Sequence, residues 1–228
     1  MKWNLALALA TPLALLGCKE SAPPPVPQAS ATTVTAPASD AMPVLALGDS
    51  LFAGYGLGPG ESYPARLEAA LNSHGVRVRV VNAGVSGDTT ADGLTRVDFV
   101  LSGMKAKPVL AIISLGGNDM LRAVPPAETR KNLAAILAKF QAAKVPVVLL
   151  QLLAAPNLGK EYGDQFNPIY PALAKQYGAT LVPFWLAPLQ GHPELLQGDH
   201  IHPTLPGIDK LVAATVDRVS GALPKKPH

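Results

Sequence analysis

The chain has 228 residues, of which 48% are hydrophobic and 15% charged, with a formal net charge of +3 and one cysteine. That is enough chain for one domain with a full core. The near balance of charge, with no basic run apart from Lys225-Lys226, does not support a nucleic-acid footprint. With no thiol besides Cys18 there can be no intrachain disulfide, no cysteine zinc cluster and no cysteine nucleophile.

Lys2 is the only charge before Cys18, and Leu5–Leu16 is an apolar run too short for a comfortable transmembrane helix. The run ends in Leu15-Leu16-Gly17-Cys18, which resembles a bacterial lipoprotein signal with its lipobox. The resemblance implies removal of residues 1–17 and acylation of Cys18. Residues 18–42 are rich in Pro, Ala, Ser and Thr, a composition that buries little apolar surface and favours extended chain. They read as a tether holding a domain, expected over 43–221, off a membrane, with a short tail at 222–228. Lys19 follows the cysteine, so by the lipoprotein pattern the anchor is expected in the outer membrane of a Gram-negative host, facing the periplasm.

Val44–Leu47 is a short apolar run, read as a buried strand, which breaks at Gly48 and leads into Asp49-Ser50. A helix is predicted over Glu61–Ser73 and an alternating strand over Val76–Val81. The latter runs into the glycine-rich loop Asn82–Thr90. A helix over Thr90–Leu101 precedes Pro108–Leu115, a continuous apolar run of the kind found in central parallel strands. Glu128–Ala143 carries an amphipathic helical stripe, Val145–Leu153 a further buried strand, and Ala154–Asn167 reads as loop. A helix over Tyr170–Tyr177, a strand over Thr180–Trp185 and a closing helix over Gly207–Ser220 complete the pattern. Strands alternating with helices, without a convincing hairpin signal, call for an α/β domain with a parallel sheet covered on both faces.

The polar clusters Asp49-Ser50, Ser86-Gly87-Asp88 and Gly117-Asn118-Asp119 all follow predicted strands, and Asp199–His202 comes near the end. In a parallel sheet they converge on the carboxyl edge, where ligands bind. Ser, Gly, Asn, Asp and His together are what acyl transfer needs: a hydroxyl nucleophile, an imidazole base, a carboxylate to orient it, and donors for the oxyanion. Among competing serines, Ser86 lacks the final glycine of a nucleophile elbow, and Ser114 lies inside an apolar strand, read as buried and hydrogen-bonded. His74, His192 and His228 read as surface residues. His200 and His202 with Asp199 have a spacing a metal could use, but no further ligand cluster accompanies them. Asp49, Asp88 and Asp119 sit beside glycines and read as turn and helix caps.

With Gly48-Asp49-Ser50-Leu51, Ser86-Gly87-Asp88-Thr89, Leu115-Gly116-Gly117-Asn118-Asp119 and Asp199-x-x-His202-Pro203 in this order, the chain resembles the GDSL-type SGNH hydrolases. Within them it is similar to the bacterial periplasmic thioesterase I / protease I / lysophospholipase (arylesterase) group. The resemblance implies a flavodoxin-like three-layer α/β/α sandwich and a serine esterase acting on small acyl esters or thioesters. It assigns Ser50 as nucleophile, His202 as base and Asp199 as its orienting acid, and the backbone N–H groups of Ser50 and Gly87 with the Asn118 amide as oxyanion hole. No cofactor, no metal and no nucleic-acid partner are expected, the membrane is reached through the lipid, and the domain is expected to be a monomer. A carbohydrate O-deacetylase of the same fold and a non-catalytic lipoprotein binding module are the alternatives. Met120, Leu121 and Val124, with Leu153, Leu158 and Phe166, follow strands ending at this edge and are expected to wall the acyl site, the plainer reading being that they pack under their own loops.

Globomycin treatment, or Cys18→Ala, is expected to abolish lipid attachment and alter processing at the N-terminus, read by mass spectrometry of the N-terminal peptide. An unlipidated, freely soluble mature form in untreated cells would refute the lipobox reading.

Overall fold

A computed structural model describes residues 41–225 of the chain; Cys18, the predicted signal and most of the tether lie outside them. Five parallel strands form one sheet in the order β2-β1-β3-β4-β5. They are β1 (Met42–Gly48), β2 (Val78–Gly84), β3 (Leu110–Ser114), β4 (Val147–Leu150) and β5 (Thr180–Val182). The main helices are α2 (Tyr63–Ser73), α3 (Thr90–Gly103), α5 (Pro126–Ala142), α6 (Gly159–Phe166), α7 (Ile169–Tyr177) and α8 (Leu205–Ala222). Two short ones, α1 (Ser50–Ala53) and α4 (Gly117–Leu121), follow β1 and β3.

The layering follows from the handedness of parallel crossovers. The chain steps one way from β1 to β2, then reverses past β1 to β3, β4 and β5. Right-handed connections therefore place α2 on one face and α3, α5 and α7 on the other. Accordingly α2 packs against α8, while α3 packs against α5 and α5 against α7. β3 and β4 are buried along their whole length, as strands covered on both faces must be. The first strand begins at Met42 and the last helix ends at Ala222.

Local signals set the helix starts. Ser62, Thr89 and Thr204 cap α2, α3 and α8 through their side-chain oxygens, and Thr89 forms a reciprocal capping box with Asp92. Under α1, the ring of Phe52 stacks on Tyr63 at 5.3 Å, and Tyr63 meets Trp185 edge-on at 5.0 Å, in a fully buried aromatic cluster. Gly84 at the end of β2 is required by this packing: a Cβ there would collide with the backbone of Phe52 and Ala53.

Three expectations need correction. Ala154–Asn167 is not loop throughout, because α6 occupies Gly159–Phe166. Its eight residues are too few to show a clear period between the flanking turns. The strand expected over Val76–Val81 is displaced to Val78–Gly84, since it pairs in register with β1 up to Gly48. Ser114 is fully buried, but its hydroxyl has no hydrogen-bond partner.

Ser114→Ala is therefore expected to hold or raise stability, by up to about 1 kcal/mol, because it removes an unpaired buried polar group. Chemical denaturation checks this; a loss of stability would mean the hydroxyl is satisfied after all.

Candidate active site

The strand order 2-1-3-4-5 reverses between β1 and β3, and crevices at such switch points, beyond the carboxyl ends of the strands, are where α/β sheets bind ligands. Here β1 delivers Ser50, β2 delivers Gly87 and β3 delivers Asn118 to the same open cleft, of about 290 Å³. Ser50 is the first residue of α1, whose N-terminus Asp49 caps by accepting from the Leu51 N–H at 3.0 Å.

His202 comes to Ser50 from the other end of the chain. Its Nε2 lies 2.8 Å from Ser50 Oγ and its Nδ1 lies 2.6 Å from Asp199 Oδ2. A carboxylate offers only lone pairs, so Nδ1 must carry a proton in this contact, leaving Nε2 free to accept from the serine hydroxyl. The other Asp199 oxygen accepts from the backbone N–H groups of Ile201 and His202. These contacts, the His202 side chain first, hold the Asp199 carboxyl well below the usual carboxylate range.

The turn carrying this pair is braced by Gln197. Its backbone N–H donates to His202 O at 2.7 Å, and its side-chain amide donates to Pro203 O and to Tyr55 O. Gln197 thus ties the segment after Ser50 to the segment holding His202. Gly56 allows it, because a Cβ at that position would strike the Gln197 amide. Tyr55 lies against the His202 ring with centroids 4.4 Å apart. His200 sits within the turn at φ +57, in the left-handed region, its side chain exposed.

The donor side of the cleft is equally held. Gly87 adopts φ +89, and Arg122 donates to its carbonyl at 2.8 Å. Arg96 bridges Asp88 and the carbonyl of Gly48, tying the ends of β1 and β2. The Asn118 amide donates to Asp88 O at 2.9 Å. Asp119 is fully buried and accepts from the Thr90 N–H, the Thr90 hydroxyl and the Thr129 hydroxyl.

Of the six side chains expected to wall an acyl site, Leu121 lines the cleft. Phe166 does not: its ring is fully buried, stacked on Tyr162 at 5.7 Å and against Tyr170. Val124 is half-buried, and its carbonyl accepts from the Tyr162 hydroxyl. Met120 packs on the core, and Leu153 and Leu158 are half-buried away from the lining. The plainer reading, packing on the core rather than facing the cleft, describes Phe166 and Met120. Leu51, Tyr55 and Ile201 line the cleft instead. Adjacency was the available signal, since residues next to Ser50 and His202 in sequence cannot be far from them in space.

Residues 46–209 match the family model described as GDSL-like lipase/acylhydrolase. The chain belongs to the GDSL-like lipase/acylhydrolase family. It is similar to Esterase TesA of Pseudomonas aeruginosa, at 40% identity over 75% of this chain and 85% of that protein. It is also similar to Thioesterase 1/protease 1/lysophospholipase L1 of Escherichia coli K12, at 38% identity over 75% of this chain and 79% of that protein. Among solved structures, AlinE4, an SGNH-hydrolase family esterase, superposes with a TM-score of 0.70 at 55% identity, covering 82% of this chain and 98% of its own. The flavodoxin-like α/β/α sandwich is thus that of the SGNH hydrolases, and this GDSL-family chain is an enzyme, a hydrolase.

Burial pushes the Asp49 carboxyl up to about 6, against the lowering pull of the Leu51 N–H and of His202. The folded value lies above the ordinary 3.8, so folding favours the protonated form, an advantage present below pH about 4 and lost as pH rises through about 6. Asp49→Asn, which keeps an acceptor for Leu51, is expected to be more stable than the parent above pH about 6, by roughly 3 kcal/mol at 1.36 kcal/mol per unit, with the difference closing below pH about 4. Thermal melts across that range check it; a gain independent of pH would refute it.

Proposed function

We propose that the protein is a serine esterase that hydrolyses acyl esters and thioesters through Ser50, His202 and Asp199. The observation that carries this reading is the continuous chain Ser50 Oγ to His202 Nε2 (2.8 Å) and His202 Nδ1 to Asp199 (2.6 Å), opening into an apolar-lined cleft. Ser50 Oγ attacks the acyl carbonyl carbon while His202 Nε2 takes the hydroxyl proton. The carbonyl electron pair moves to oxygen, where the Ser50 and Gly87 N–H groups and the Asn118 amide donate to it. Collapse of this adduct breaks the bond to the leaving alcohol or thiol, which receives the proton from His202. Water then repeats the sequence on the acyl-serine, releasing the acid and restoring Ser50. Asp199 keeps the imidazole in the required tautomer and stabilises it when charged.

Support for acyl esters as substrates comes from the lining side chains Leu51, Tyr55, Leu121 and Ile201, and from the esterase and thioesterase names of the relatives. A cleft of about 290 Å³ is at the small end of small-molecule sites. It favours short to medium acyl chains over long ones, with the leaving group projecting towards solvent and only loosely selected. Lysophospholipids fall within this reading as acyl esters with a bulky alcohol.

Ser50→Ala is expected to fold normally with ester hydrolysis reduced by about 10⁶-fold, and His202→Ala by nearly as much. An alkyl phosphonate should label Ser50 in the parent and nothing in the Ser50→Ala variant. Catalytic efficiency on p-nitrophenyl esters should climb about fourfold per added methylene from acetyl, then level once the cleft is filled. Labelling at Ser86 would overturn the nucleophile assignment, and strict preference for acetyl would favour the deacetylase.

A further inference from the structure

The two ends of the sheet carry opposite charge. At the end where the strands begin, the turns 74–77, 104–109, 143–146 and 223–225 hold Arg77, Lys105, Lys107, Lys144 and Lys225, and no carboxylate. Arg79 stands beside them at the start of β2, and the neighbouring Asp98 on α3 is engaged by Lys139 at 2.6 Å. At the catalytic end the connecting segments hold Asp49, Glu61, Asp88, Glu194 and Asp199 against Arg122. Cations where helices end are favourable in themselves, because they face the negative ends of the helix dipoles. That accounts for the lysines and not for the apolar surface beside them.

Phe99, on the last turns of α3, is 80% exposed, more than any other large hydrophobic side chain among the described residues. Of the others, Tyr55, Leu121 and Ile201 line the catalytic cleft and Val85 follows the end of β2. Phe99 is distant from that edge. It borders a groove of about 530 Å³ lined by Pro43, Val81 and Met104 together with Arg79 and Lys105. Ala41, where the described chain begins, lines the same groove, so the Pro/Ala/Ser/Thr-rich segment read as a membrane tether joins the domain at this face.

We propose that this face docks on an anionic phospholipid bilayer, with Arg79, Lys105 and Lys107 against lipid phosphates and Phe99 in the interfacial layer. An exposed aromatic side chain flanked by cations matches the chemistry of such a surface, the ring taking the boundary zone and each cation the negative potential. The consequence is orientation. Ser50 lies beyond the far end of the seven-residue β1, roughly 20 Å along the strand from this face. Docking therefore turns the catalytic cleft away from the bilayer, towards acyl esters arriving from the aqueous side. The proposal goes beyond the catalytic reading and depends neither on it nor on acylation of Cys18.

The test uses the chain from Lys19 onward, so that neither the apolar run 5–16 nor a lipid anchor contributes, in flotation with phosphatidylglycerol-rich and with pure phosphatidylcholine vesicles. Binding is expected to the anionic vesicles alone and to weaken as salt is raised. Neutralising Lys105 or Lys107 (Lys→Gln) should lower the partition constant about fivefold each, and Phe99→Ser by about tenfold. Hydrolysis of a soluble p-nitrophenyl ester should be the same for bound and free protein. Failure to bind anionic vesicles, equal binding to phosphatidylcholine, or variants that bind like the parent would overturn the docking surface. A fall in soluble-ester hydrolysis on binding would overturn the orientation. An inactive protein that still binds would count against the esterase reading and leave the docking surface standing.

Discussion

The proposed catalytic edge depends on one buried carboxylate. Asp119 is fully removed from solvent, and an unpartnered charge there would be prohibitive. It is satisfied by Thr90, through both N–H and hydroxyl, and by Thr129, while Asn132 donates to the Thr90 oxygen. These donors come from α3 and α5, whereas Asp119 itself belongs to α4. The starts of three helices are thereby locked together just beyond β2 and β3. Asn118 and the Gly87 loop, the proposed oxyanion donors, sit immediately beside this lock. Their placement is a consequence of satisfying a buried charge, achieved with hydroxyl and amide donors that carry no charge of their own.

The opposite side of the cleft is built differently. Asp199 is exposed and His202 only partly covered, so no burial cost compels their geometry. Sequence proximity does: only two residues separate them, and two backbone N–H groups in the turn converge on the same carboxylate. The turn needs His200 in a left-handed conformation, an unfavourable choice for a residue with a Cβ. Gln197 offsets that by fastening the turn to Tyr55 and Pro203. One side of the site is thus fixed by the core and the other by a braced surface turn.

How much of this can be read in the sequence depends on the range of the interaction. The buried strands were legible because covering both faces demands continuous apolar runs, as in Leu110–Ser114. The convergence of Ser50, Gly87, Asn118 and His202 was legible because parallel strands send every following loop to one edge. The side chains around an acyl group were not. Whether Phe166 or Leu121 faces the cleft turns on the rotation of α4 and α6, and neither short helix has enough turns to declare its face. Phe166 is drawn inward by Tyr162, one turn back on α6, and by Tyr170, which becomes a neighbour only once α6 and α7 pack. Gln197 was silent for a related reason: a lone glutamine among turn residues shows nothing until its three carbonyl partners are in place.

Charge is distributed along the same axis as the chemistry. Strand ends where helices begin offer backbone N–H groups and gather Asp49, which caps α1, Asp119, which binds the first turn of α3, and Asp88, which pairs with Arg96 of α3. Strand starts where helices end collect Lys105, Lys107 and Lys144. A parallel α/β sandwich aligns its helix dipoles, so capping each helix in its own best way polarises the whole domain. Electrical asymmetry in this chain is then a by-product of stability before it is a device for function. Phe99 is what separates the two roles: no helix dipole calls for an exposed aromatic ring, and leaving one in water between cations gains nothing for the fold. The same polarity that places donors around Ser50 leaves the far end free to meet a negative surface, so catalysis and orientation draw on one architectural constraint.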